Sequence, residues 1–154
     1  MKKKFLKKWE IIFLVLLFLS AIGLRAYGAY WPKTIVKIGG KEIKVLVADT
    51  AAHRFKGLSG KKDLGKYGGM LFVFANKGQH SIVMRDMKFS LDIVWADETG
   101  IIDFAKNVPI EPNKEEKDLI KYYSRLPSTL VLELPAGYAE KNGFKIGDKI
   151  EIIK

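Results

Sequence analysis

Between Gly69 and Asp97 the chain sets two short apolar runs, Met70 to Phe74 and Leu91 to Trp95, on either side of a polar and sulfur-bearing insert, His80 to Met87. Apolar runs of about four to eight residues bounded by turn signals predict buried strands. A chain that must bury two of them folds around a sheet. The insert brings His80, one of only two histidines, together with Arg85, Asp86 and, just beyond it, Asp92. If the chain has a site, it is expected here.

The flanking pattern extends the sheet. Thr34 to Ile38 and Lys41 to Ala48 predict a strand pair around the Gly39-Gly40 hairpin signal. Asp49 or Thr50 can cap a short helix through Lys56, with Gly57 ending it. Asn76-Lys77-Gly78 predicts a turn and Gln79 to Met84 a strand with His80, Ile82 and Met84 on one face. On the strand Leu91 to Ala96, Asp92 faces away from Leu91, Ile93 and Trp95. A turn at Asp97 to Gly100 leads into Ile101 to Val108, and the charged, proline-bearing stretch Pro109 to Lys117 predicts an exposed loop. Thr129 to Leu134 alternates as a strand, Pro135 to Gly137 opens a short helix ending at Asn142-Gly143, and Lys149 to Ile153 closes the chain as a strand. Eight or so short strands with two short helices predict a mainly β fold, a β-sandwich or partly open barrel.

A different kind of segment precedes this domain. Lysines at positions 2, 3, 4, 7 and 8 stand before Ile11 to Leu24, fourteen residues without a charge, and Arg25 follows. A basic region before an apolar run is the pattern of a secretory signal or signal anchor. Ala26-Tyr27-Gly28 resembles a small-x-small cleavage site. Residues 9–30 are expected to serve as an uncleaved transmembrane anchor, with Arg25 reaching back to the interface. The lysines then stay in the cytoplasm and residues 31–154 form one extracytoplasmic domain at the plasma membrane. The alternative is a secreted or periplasmic domain released by signal cleavage.

Charge and composition exclude several functions. The chain has a formal net charge of +10, and its first thirty residues hold half of that excess. The remainder is mildly basic and lacks the concentrated stripe of a nucleic-acid binder, so no nucleic-acid partner is expected. With no cysteine, disulfides, thiolate metal sites and cysteine nucleophiles are impossible. Two histidines without ligand spacing predict no metal site, and no cofactor is expected. Met84 and Met87 could hold a soft metal, but beside Ile82 and Phe89 they read as core filler. His53 reads as a surface or partly packed histidine.

Seven blocks in order carry a family resemblance. They are Arg54-x-x-Gly57-Leu58-Ser59-Gly60, Gly69 to Phe74, His80-Ser81 with Met84 and Met87, Leu91-Asp92-Ile93-x-Trp95, Asn107-Val108-Pro109, Val131 to Gly137, and Gly143-x-x-x-Gly147-Asp148. Over residues 34–153 the chain resembles the bacterial and archaeal family known as domain of unknown function 192. The resemblance implies a small extracytoplasmic domain behind a signal or anchor, with a jelly-roll-like β-sandwich, and implies no activity or cofactor. The chain departs from the family pattern in having Ile82 and Val83 after His-Ser, Arg85-Asp86 before the second methionine, and Ser90 before Leu-Asp-Ile. The lost aromatic pair reduces any stacking surface for a planar ligand.

Candidate ligand-binding residues are Arg54, His80, Arg85, Asp92 and Ser124. His80 could act as a general acid or base if Asp92 orients it, and either arginine could hold an anion. Alternatively, Asp92 is buried and paired with Arg54 or Arg85 as a structural ion pair. Three functions follow: an envelope binding or accessory module with an unknown ligand or protein partner, a small hydrolase or lyase using His80 and Asp92, or a structural interaction domain with no ligand.

Overall fold

In the computed structural model, which describes residues 7–153, the chain separates into two compact units, one up to Trp31 and one from Pro32 onward. The lysines at positions 2–4, and with them most of the expected basic tip, lie outside the described residues. The first unit is a helix, α1 (Lys8–Ala29). Glu10 accepts the Lys7 amide at its start. Among the described residues no helix is long and apolar enough to cross a membrane.

The second unit contains β1 (Lys33–Ile38), β2 (Lys41–Ala48), α2 (Ala51–Lys56), β3 (Gly69–Gly78), β4 (Leu91–Asp97), β5 (Gly100–Val108), β6 (Ser128–Pro135), α3 (Tyr138–Lys141) and β7 (Ile150–Ile153), with a 3-10 turn at Glu116–Asp118. The predicted hairpin, the α2 helix and most strands lie where the sequence places them. Thr50 caps α2 by accepting the His53 amide. Gly57 ends it at φ 48°, where a Cβ would press on the Phe72 ring at 3.3 Å.

Of the two expected architectures the partly open barrel is the one found, and the sandwich is not. Among the described residues the seven strands form one curled sheet in the order β5-β4-β6-β3-β2-β1-β7, a half-barrel rather than two stacked sheets. The parallel β2–β3 pair is reached by a crossover through α2. Pairing register assigns the two faces. Leu71 and Val94 lie opposite Leu132, and Asp92 lies opposite Leu134. This face carries the main core, which includes Val36, Ile43, Ile101 and Phe144. On the other face Glu133 stands between Met70 and Ile93, and Val131 between Phe72 and Trp95.

The predicted strand at Gln79 to Met84 does not form; only an isolated bridge joins Ile82 to Tyr122. The predicted turn at Asn76 to Gly78 is instead the irregular end of β3. The physical reason is competition for backbone partners. Trp95 Nε1 donates to the His80 carbonyl at 3.3 Å, and Ile82 exchanges both backbone bonds with Tyr122. Segment 79–90 therefore lies across the sheet as a cover and does not join it. Ile82, Met84 and Met87 are buried, each worth about 2 kcal/mol of apolar burial. Alternating apolar residues satisfied a packing need here, and periodicity alone cannot separate that from a strand.

Candidate functional site

The cover leaves a pocket on the Glu133 face. It has a volume of about 310 Å³ and lies between α2 with the Gly57-Leu58-Ser59 loop, residues 81–87, and the sheet. Two links close its upper edge. The Gly60 amide donates to the Asp86 carbonyl, and the Ser59 hydroxyl to an Asp86 carboxylate oxygen at 3.3 Å. Asp86 adopts φ 51° to make this corner. The Gly-Leu-Ser-Gly motif thus shapes a wall.

Glu133 lies at the floor. Its position in the middle of β6, between β3 and β4, buries it to 5% exposure. The Oε2 atom has no hydrogen-bond partner, and burial pushes the carboxyl up to about 8. An unpartnered buried carboxyl costs stability; lining a pocket, it marks a functional candidate. It was not among the sequence candidates. The available signal was Val131 beside it, since an apolar residue on the supposedly outward face of β6 shows that both faces are buried.

Two sequence candidates line this pocket, Arg54 and Arg85, and both are engaged with protein groups. Arg54 Nη1 donates to the carbonyls of Asp49 at 2.6 Å and Val73 at 3.1 Å, tying α2 to the sheet. Its guanidinium lies 5.3 Å from the Phe74 ring centroid. Arg85 forms a two-point ion pair with Glu116, donates to the Phe55 carbonyl at 2.5 Å, and lies 4.1 Å over the Phe55 ring. Its hydrogen bonds hold the Glu116 carboxyl below its usual range.

The other three candidates are elsewhere. His80 stacks on Phe74 at 3.6 Å and 6°, with Nε2 2.9 Å from the Asn76 carbonyl. Ser124 is buried and donates to the Leu126 carbonyl. Asp92 is fully buried on the opposite face of the sheet from Phe74, His80's stacking partner. Its carboxylate accepts the amides of Asn107 at 2.9 Å, Gly137 at 3.1 Å and Ala139 at 2.9 Å. This corrects two expectations. His80 and Asp92 do not form an acid–base pair, because the pleat of β4 turns Asp92 to one face of the sheet while His80 stacks on Phe74 on the other. Nor does Asp92 pair with Arg54 or Arg85, because backbone amides satisfy it instead. It fastens the end of β5 and the start of α3, where Asn107 and Gly137 both have positive φ.

Among the described residues no group of three or more His, Cys, Asp or Glu could hold a metal ion. Met84 and Met87 are buried core residues.

Two solved structures share the fold. A protein from Sinorhizobium meliloti 1021, described provisionally as a transcription regulator, matches at 24% identity with a TM-score of 0.71, over 80% of this chain and 96% of its own. A protein of unknown function from Novosphingobium aromaticivorans DSM 12444 matches at 26% identity with a TM-score of 0.65, over 79% of this chain and 84% of its own. No curated protein matches the chain. The family model DUF192, described as "Uncharacterized ACR", matches residues 34–152, which spans the whole sheet from β1 to β7, and the chain belongs to that family.

Proposed function

We propose that this protein is a small-ligand binding module of the cell envelope, with its site on the Glu133 face of the sheet. The observation that carries the reading is the pocket of about 310 Å³ with an unpartnered buried carboxyl at its floor. That volume is at the low end for ligand sites, which also combine apolar walls with a few polar groups. A domain serving only as a scaffold gains nothing from a buried acid without a partner.

The reading is tested by thermal unfolding of the full chain with the low-mass fraction of an envelope extract. A ligand at a hundred times its dissociation constant stabilises by about 2.7 kcal/mol. Ser81→Trp, which fills the pocket, is expected to abolish the rise in melting temperature. His80→Ala, outside the pocket, is expected to keep it. No rise with the unmodified chain would leave the structural interaction domain as the better description.

The module is proposed to be tethered through residues 9–30, with the sheet domain outside the cytoplasm. Support comes from the fourteen uncharged residues after Lys7 and Lys8, a helix of 22 residues, and apolar side chains such as Leu14, Leu16 and Phe18 that are exposed. Fourteen residues rise about 21 Å, so Arg25 must reach the interface for the span to suffice. The full chain is expected to stay with membranes after carbonate washing. A mature N-terminus near Ala29 would show cleavage instead.

A further inference from the structure

Resting on the pocket as a ligand site, we infer that its ligand is a small organic anion, with its acidic head against Lys56 and Lys121 and an acceptor oxygen hydrogen-bonded to the Glu133 carboxyl. The charge distribution points to this class. Four cations line the pocket, Arg54, Lys56, Arg85 and Lys121, against Glu116 and Glu133. Arg54 is held by two carbonyls and Arg85 by Glu116 and Phe55. Lys56 and Lys121 have no hydrogen-bonded or ion-pair partner among the described residues, though Lys121 adds to the field on Glu116. The mouth is therefore electropositive with two ammonium groups unspent.

The floor sets the second requirement. Arg54 and Lys56 share the pocket lining with Glu133 from α2, Arg85 from the 84–87 corner, Glu116 from the 3-10 turn and Lys121 just after it, while Asp86 at that corner bonds Ser59. The flanking strands place only Met70 and Ile93 beside it. None of these groups bonds Oε2. Burial keeps the group protonated at neutral pH, so it offers an O–H donor. A cationic ligand would meet the lysines while the one ionised carboxylate of the lining, Glu116, is already paired with Arg85, and a hydrocarbon would leave the donor unpaired. An anion with a further oxygen satisfies both ends, and Leu58, Ile82 and Met87 supply apolar walls for its carbons. Binding then weakens as Glu133 ionises, by about tenfold for each pH unit above that point.

Three sugars of one ring size test the inference: glucuronate, glucose and glucosamine, which are anionic, neutral and cationic. Each is titrated into the full chain in a non-ionic detergent while the backbone amides of Gly57, Ser59 and Val83 are followed by NMR. Glucuronate is expected to shift them at pH 6.5 and to bind about tenfold more weakly at pH 9. Glu133→Gln, which keeps a donor, is expected to bind glucuronate without that pH dependence. If that variant fails to fold, Lys56→Gln with Lys121→Gln, both at exposed positions, is expected to weaken glucuronate and spare glucose. If glucose or glucosamine shifts the amides as strongly as glucuronate, the site stands and the anion inference is overturned. If none of the three shifts them at tens of millimolar, the site falls with it.

Discussion

Asp92→Ala is expected to remove most of the stability of the sheet domain. The substitution strands three amides, that of Ala139, which is buried, and those of Asn107 and Gly137, which are part-buried. An unsatisfied buried donor costs roughly 1–3 kcal/mol and a part-buried one, which water can reach, less, so a loss of about 4 kcal/mol is expected. That is most of the stability of many domains of this size. The damage should begin locally, because the carboxylate holds β5 to α3 through backbone groups at positive φ. Asp92→Asn keeps one accepting oxygen but turns a donor toward the amides, and should lose about half as much. Urea unfolding followed by circular dichroism measures both. A stability for Asp92→Ala within 1 kcal/mol of the unmodified chain would show that the three amides find other partners.

The second large effect has the opposite sign. Glu133→Gln is expected to stabilise the domain at pH 8 and leave it nearly unchanged at pH 4. Burial raises the Glu133 carboxyl from 4.5 in the unfolded chain to about 8 in the fold. Below 4.5 both states hold the proton and the group costs no ionisation energy. Between 4.5 and 8 the unfolded chain releases the proton while the folded one keeps it, so stability falls as pH rises. At about 1.4 kcal/mol per unit, the accumulated loss is on the order of 4 kcal/mol at pH 8. Glutamine does not titrate, so the variant's stability should be flat across that window. Parallel curves for the two proteins between pH 4 and 8 would mean that Glu133 is ionised in the fold. A side chain that destabilises its own domain at neutral pH is the kind of feature retained for a site.

Much of the fold was legible because its strands carry strong local signals. Gly39-Gly40 marks the hairpin, Thr50 and Gly57 bracket α2, and the alternation at Leu91 to Trp95 correctly turns Asp92 away from Ile93. The step from strands to layers was not legible. Whether such strands stack as two sheets or curl as one depends on which strand edges meet, and the β2–β3 parallel pair reached through α2 decides that. Segment 79–84 shows the same limit, since its apolar spacing serves to cover a sheet and resembles that of a strand.

The site divides along the same line. Arg54 and Arg85 were identifiable as cations able to hold an anion, and both border the pocket. His80 and Asp92 are close in sequence, but His80 lies in the cover against Phe74 and Asp92 points to the other face of the sheet. Glu133 was hidden by its setting, since an acid between Leu132 and Leu134 looks like the polar half of an alternating strand. Only the cover made by α2 and residues 79–90 turns that half into an interior.

The most direct measurement is a pH titration of the Glu133 side-chain carboxyl carbon by ¹³C NMR in the full chain. A midpoint near 8, moving higher when the pocket is occupied, is the expected result, because a ligand that accepts the Glu133 proton in a hydrogen bond binds the protonated form. A midpoint in the ordinary carboxylate range near 4.5, unmoved by any ligand, would show a solvated or privately partnered acid and would contradict the assignment of this pocket as the site.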